Sequence, residues 1–201
     1  MAAYYYLMAQ LPYLIYEQKP PMSSESFKEL ALSLLNKKDT ALMGNISQNN
    51  FPSDETEDEK NAKSTGCDFI DLWREWERTL RLNLARERAI KLKRKQMEEP
   101  PVLPADAAHT AIKTVVSDGS PLDKEIMLDK ARWGVIDIFA GNDYFHRNTV
   151  FAYFLKLILL ERRQLFNLEK GFAEYKSLYA SVLENSQFNT QNSGQYSGES
   201  K

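Results

Sequence analysis

Apolar residues recur at three- and four-residue steps through most of this chain, and no stretch shows sustained strand alternation, which predicts an all-α fold. The clearest case is DFIDLWREWERTLRLNLARERAIKLKRKQMEE. Phe69, Leu72, Trp73, Trp76, Leu80 and Leu84 form one stripe, and the run holds no Gly or Pro, so one long charged helix is expected over about 68–99. The stripe fades after Leu84, and six of the ten residues from Arg86 to Lys95 are cationic: Arg86, Arg88, Lys91, Lys93, Arg94 and Lys95. Core packing cannot be the main role of that half, which is expected to be a solvated face or to meet an acidic partner.

Punctuation sets the other elements. After Pro20-Pro21, Ser23 can cap a helix over about 24–36, with Glu25 in its first turn and Met22 placed to staple onto Phe27. PPVLP at 100–104 ends the long helix, and ADAAHTAIKTVV predicts a short one. Ser120, Pro121 and Asp123 form a capping arrangement that starts a helix through about Ala140. AGNDYFHRN is a connector, and Asn148 or Thr149 should cap TVFAYFLKLILLERRQLF. The two helices form an antiparallel hairpin over about 121–168 within a helical bundle. Gly171 is expected to interrupt the region before a last helix near 172–184, with Phe172, Tyr175, Tyr179 and Val182 at helical spacing.

A single helical domain over 1–184 follows, with a mobile acidic loop at about 44–66 (GNISQNNFPSDETEDEKNAKSTG) and a disordered tail at 185–201.

The start, YYYLMAQLPYLIYEQKPP, places five tyrosines in sixteen residues. No Lys or Arg precedes Lys19, and Gln10 and Pro12 break the apolar run far short of the roughly 20 residues that a spanning helix needs, so neither a secretory signal nor a membrane span is expected. The segment should pack as a helix, broken near Pro12, onto the body, because so many rings are costly to leave in water; a partner-binding arm is the alternative. Val150 to Leu160, interrupted only by Lys156, is likewise too short to span and predicts a buried core helix.

Composition narrows the function classes. The chain has 201 residues, 43% apolar and 27% charged, with one cysteine, Cys67, which excludes an internal disulfide and a multi-cysteine metal site and fits a reducing, cytoplasmic compartment. The net charge of −2 conceals an uneven distribution. Residues 1–68 carry 6 Lys/Arg against 10 Asp/Glu, and residues 69–99 carry 9 against 6. Glycine has no phosphate-loop spacing. His109 and His146 lack a second ligand at metal spacing, and no nucleophile–base order can be defended, so no cofactor, metal, small-molecule substrate or catalysis is expected. The basic half-helix has no interleaved aromatics, which argues against nucleic acid. Arg162 falls on the apolar face of its helix and Asp129 lies beside Trp133 and Ile136, which suggests a structural ion pair across the hairpin; a partner-facing site is the alternative.

YYYLMAQLPYL, PPMSSESFKEL and WREWERTLRLNLAR, and above all PLDKEIMLDKARWGVIDIF followed by FAYFLKLILLERRQLFNLEKG, resemble a bacterial family of unknown function associated with V-type (A/V-type) ATP synthases, in bacteria whose complexes otherwise lack a recognisable C subunit. The resemblance covers most of residues 4–184; the acidic loop and the tail fall outside it. It implies a role like that of the C (d) subunit, whose helical units form a funnel on the membrane rotor ring and receive the central shaft, although this chain is shorter. The implied protein is a non-catalytic subunit in ion or proton transport, peripheral on the cytoplasmic face of the inner membrane, with the rotor shaft and ring as partners. A free-standing helical adaptor, a peripheral-stalk component or an assembly factor for the same complex is the alternative.

Overall fold

The structure is a computed structural model and describes residues 2–44, 46, 64–94, 105–166 and 168–193. Among these residues there are eight helices and no strand: α1 (Ala2–Gln10), α2 (Ser24–Leu34), α3 (Lys37–Gly44), α4 (Asp68–Lys91), α5 (Ala105–Val116), α6 (Pro121–Ala140), α7 (Arg147–Leu165) and α8 (Leu168–Ser193). The chain divides into two compact units, Met1–Glu161 and Arg162–Lys201, a division inside the span 1–184 that the pattern presents as one domain. Nearly all of the expected acidic loop lies outside the described residues.

Local chemistry explains the helix boundaries. Ser23 caps α2, its hydroxyl accepting from the Ser26 N–H at 3.0 Å. The helix stops at Leu35, which turns to extended backbone, and Asn36 starts α3 by accepting from the Asp39 N–H at 2.8 Å. The expected helix over about 24–36 is thus α2, ending at Leu34, and α3 is a further short helix beyond it, because an asparagine that can cap sits where the first would have to continue. Ser120 and Asp123 form the predicted capping box, with Ser120 Oγ accepting from the Asp123 N–H at 3.2 Å and Asp123 accepting from the Ser120 N–H at 2.9 Å. The Ser120 hydroxyl, donating to the Asp123 carboxylate at 2.7 Å, and then the Ser120 N–H hold that carboxyl below the usual range. The start of α7 comes earlier than expected: His146 caps it, with Nδ1 accepting from the Asn148 N–H at 3.3 Å, while Thr149 donates back to the Asp143 carbonyl at 2.7 Å.

The core of the first unit is built around α7. Val150, Phe151, Ala152, Tyr153, Phe154, Leu155, Leu157, Leu159 and Leu160 are all buried, so this stretch is apolar on every side because other helices cover it. Phe27 of α2 lies over Phe154 at 5.8 Å and near Tyr153 at 5.2 Å, while Phe69 of α4 meets Phe151 at 6.4 Å. Glu161 near the end of α7 accepts from the Ser24 N–H at 2.6 Å, placing a carboxylate at the positive start of α2. Lys156 of α7 pairs with Asp137 of α6 and lies 4.5 Å from the Trp133 ring, which ties the two helices together. Asp106 receives the indole N–H of Trp76 at 2.7 Å and Val115 O receives Lys91 at 3.2 Å, so α5 runs along α4 in the same sense.

The tyrosine-rich start is helical to Gln10 and leaves the helix before Pro12, as expected, but the aliphatics rather than the rings are its anchors. Leu7 and Leu14 are buried, whereas Tyr5, Tyr6 and Tyr13 are exposed. Tyr4 and Tyr16 divide the difference. Tyr4 donates to Asp39, and burial together with that bond pushes its pKa up to about 12. Tyr16 donates to the Ile126 carbonyl at 3.2 Å and packs edge-on to Trp133 at 5.4 Å. A tyrosine keeps its hydroxyl wet more easily than a leucine leaves water, which accounts for the division.

In the second unit, α8 begins before Gly171 and continues to Ser193, past the expected end near 184 and into the segment expected to be disordered. Gly171 lies within its first turns rather than at a break, and no Gly or Pro occurs from Phe172 to Ser193 to stop it. Residues 194–201 lie outside the described residues.

Candidate functional site

The candidate interface is the end of α4. The helix stops at Lys91, well before the expected end near 99, because Lys93 adopts the left-handed conformation at φ 51°. Around it the Lys93 N–H donates to the Ile90 carbonyl at 3.0 Å and the Arg94 N–H to the Ala89 carbonyl at 3.0 Å. This is the paired bonding of a Schellman cap, with lysine where glycine is usual. The last cations therefore sit on a defined cap and not on a continuing rod.

Arg88, Lys91, Lys93 and Arg94 are exposed, and Arg86 is half-buried. Lys95 lies outside the described residues. Lys91 donates to the Val115 carbonyl at 3.2 Å and Lys124 to the same oxygen at 3.4 Å, so two amines from α4 and α6 meet at the negative end of α5. None of Arg86, Arg88, Lys91, Lys93 and Arg94 forms an ion pair among the described residues. Ile90, Leu92 and Val116 are exposed beside them, at 42%, 61% and 68%. Unpaired cations around exposed aliphatic side chains can bind a surface that offers carboxylates and a few apolar contacts.

The first half of the same helix carries its charge inward. Glu77 is 1% exposed and accepts from Arg132 Nε at 3.1 Å and Nη2 at 3.0 Å, a bidentate pair, and from Arg81 Nε at 3.2 Å. Arg132 also donates through Nη1 to Asp129 at 2.9 Å. Burial works against the charge on Arg132, but Glu77 and then Asp129 more than offset it and hold the guanidinium pKa above its ordinary value.

Asp129 is buried, at 2% exposure, and a cation that holds it is Arg132, three residues along its own helix. Arg162, the mate suggested by the pattern, belongs to the second unit, where its guanidinium lies 5.8 Å from the Phe166 ring. The Glu77–Arg132 pair was not singled out in the sequence, although a signal existed: Glu77 sits between Trp73 and Leu80, three or four residues from each, inside the apolar stripe. His109 is exposed, and His146 serves as a helix cap. Among the described residues no helix is long and apolar enough to cross a membrane.

No family model matches the chain, and neither a curated protein nor a solved structure matches it.

Proposed function

We propose that the protein is a non-catalytic subunit of a V-type ATP synthase, a C (d)-like adaptor between the rotor shaft and the membrane ring, held at the cytoplasmic face of the inner membrane through its partners. The reading rests on the resemblance of PLDKEIMLDKARWGVIDIF and FAYFLKLILLERRQLF to the associated family. The observation that carries it furthest is the end of α4, where a capped helix terminus presents unpaired cations to whatever binds there. An adaptor of this kind has no chemistry of its own. It transmits force by being stiff and by fitting the surfaces on either side, and the buried Glu77–Arg132–Asp129 network that ties α4 to α6 supports the first of those requirements.

Affinity purification of the tagged chain from detergent-solubilised membranes, with identification of the co-purifying subunits, tests the proposal. Rotor and ring subunits should be recovered in fixed proportion. Recovery of the chain without any ATPase subunit would overturn it. Recovery of such subunits only from incompletely assembled complexes would favour the assembly-factor alternative.

A further inference from the structure

Three helix ends meet at one backbone oxygen. Lys91, the last residue of α4, and Lys124, near the start of α6, both donate to the Val115 carbonyl in the last turn of α5, at 3.2 and 3.4 Å. The C-terminus of a helix carries about half a negative charge, which offsets only part of two ammonium groups. Among the described residues neither lysine forms an ion pair, and neither does the exposed Lys113, two positions before Val115. The surplus extends around them. Residues 86–94 and 112–124 hold seven Lys/Arg against three Asp/Glu, and one of those three, Asp123, is engaged by Ser120. The whole chain has a net charge of −2, so this corner carries the opposite sign to the rest.

Aliphatic side chains stand among the lysines. Leu92 follows Lys91, Val116 follows Val115, and Ile112 lies one turn before Val116 on the same side of α5; all three are exposed. The three cations around the end of α5 are all lysines, and neither stretch holds an aromatic residue. That composition decides between two kinds of anionic partner. Protein interfaces are enriched in aromatic residues and arginine and depleted of lysine. Lysines beside aliphatic side chains suit a headgroup layer instead, where the stems and the aliphatics enter the apolar boundary while the ammonium groups stay among the phosphates. We infer that Lys91, Lys113 and Lys124, with Ile112, Val116 and Leu92, form a contact for the surface of an anionic phospholipid bilayer. The inference rests on the reading of this end of the molecule as a docking end, and adds direct lipid contact to contacts made through protein partners. Arg88, Lys93 and Arg94 at the cap of α4 remain available to such a partner. Three aliphatic side chains are too few to anchor the chain alone, so binding requires the charges and is reversible.

Cosedimentation of the full chain with lipid vesicles tests the inference. The chain should pellet with phosphatidylcholine vesicles that contain about 30% phosphatidylglycerol at about 0.1 M salt, and be released as the salt approaches about 1 M. It should ignore vesicles of phosphatidylcholine alone. Lys113→Glu should weaken binding to the anionic vesicles at least about tenfold, because it removes one attraction and adds a repulsion. Leu92→Ser/Val116→Ser should weaken it without altering its salt dependence. Both variants should keep the wild-type Tm, since the altered side chains are exposed. A wild-type chain that ignores the anionic vesicles overturns the inference, as does equal binding to neutral vesicles or a Lys113→Glu chain that binds as well as wild type. Undiminished binding by Leu92→Ser/Val116→Ser overturns the part given to the aliphatic side chains. The vesicles hold no protein, so this result is separable from that of the affinity purification. Vesicle binding by a chain that recovers no ATPase subunit keeps the lipid contact and removes the subunit role, whereas recovery of subunits by a chain that ignores vesicles assigns the corner to a protein and overturns the choice of lipid.

Discussion

The two halves of α4 share one uninterrupted helix and differ in what their charges face. Asp68–Leu84 buries Phe69, Ile70, Trp73, Trp76, Leu80 and Leu84, and with them the carboxylate of Glu77; nothing from Arg86 to Lys91 is buried. Both halves are rich in charge. The first meets a counter-charge on another helix, because Arg132 of α6 reaches Glu77 with two nitrogens, whereas among the described residues the cations of the second form no ion pair and Lys91 donates to the Val115 carbonyl. Burial of a charge is thus decided by the helix that faces it rather than by the helix that bears it. The same sequence composition can make a rigid internal clamp or an open docking end.

The largest expected effect breaks the clamp. Glu77→Ala leaves the buried Arg132 with Asp129 as its remaining carboxylate, and should destabilise the first unit by about 3–5 kcal/mol.

 The triple change Glu77→Leu/Asp129→Asn/Arg132→Met removes all three charges of the network and should cost much less, and chemical denaturation of the two variants measures the difference. Equal losses in the single and triple variants would show that packing, not the ion pairs, is what the site supplies.

The next effect sharpens the comparison at the other end. Lys93 holds a left-handed conformation that costs a non-glycine residue about 1 kcal/mol, so Lys93→Gly should stabilise the chain by up to about that amount. A fall in Tm would mean that the lysine side chain contributes more to the cap than its backbone conformation costs.

A smaller, pH-dependent effect belongs to the start of the helix. Asp71 accepts from the Ser64 hydroxyl at 2.6 Å and from the Thr65 N–H and hydroxyl at 3.0 and 2.8 Å. Burial acts to raise its pKa, but these bonds outweigh it and hold the carboxyl below the usual range. A carboxyl depressed in the folded state stabilises the fold above its unfolded pKa, about 3.9, and that contribution is lost as the pH falls through the lower folded value. Wild-type Tm should therefore decline more steeply than that of Asp71→Asn on acidification below about pH 4. Parallel curves would remove Asp71 as the anchor of the segment before α4.

Much of this comparison was legible in the sequence, and its limits are physical. The stripe from Phe69 to Leu84 and its fading after Leu84 predicted where α4 would be covered, because periodicity reports directly on which face leaves water, although Leu72, counted in the stripe, is 51% exposed and Ile70 is buried instead. The capping box at Ser120 was legible because three adjacent residues carry it. The stop at Lys91 was not, since a left-handed lysine leaves no compositional mark where a glycine would. Nor was the role of Arg132: its main partner, Glu77, lies 55 positions away, and helical spacing within one element says nothing of which residues face each other across two. The tyrosine-rich start shows the same limit from the other side, as the pattern marked an amphipathic helix but could not divide five similar rings between core and water.

The smallest expected effect on stability carries the most weight for function. Arg88, Lys93 and Arg94 are exposed and unpaired among the described residues, so reversing all three to glutamate removes no ion pair and should change stability little, each site contributing within about 0.5 kcal/mol. Lys91 is left in place because its bond to the Val115 carbonyl ties α4 to α5. If the end of α4 meets an acidic partner surface, the triple reversal should nevertheless weaken and slow association, because steering by opposite charge is replaced by repulsion. Raising the salt concentration should weaken wild-type association and relieve the repulsion in the variant, so the two should converge as the Debye length shrinks from about 10 Å at 0.1 M to about 3 Å at 1 M. Association with purified complexes, measured by surface plasmon resonance across that range, checks the expectation against a Tm recorded on the same preparations. A variant that binds as well as wild type at low salt would leave these cations as a solvated helix end, and would confine the structural importance of α4 to its first half.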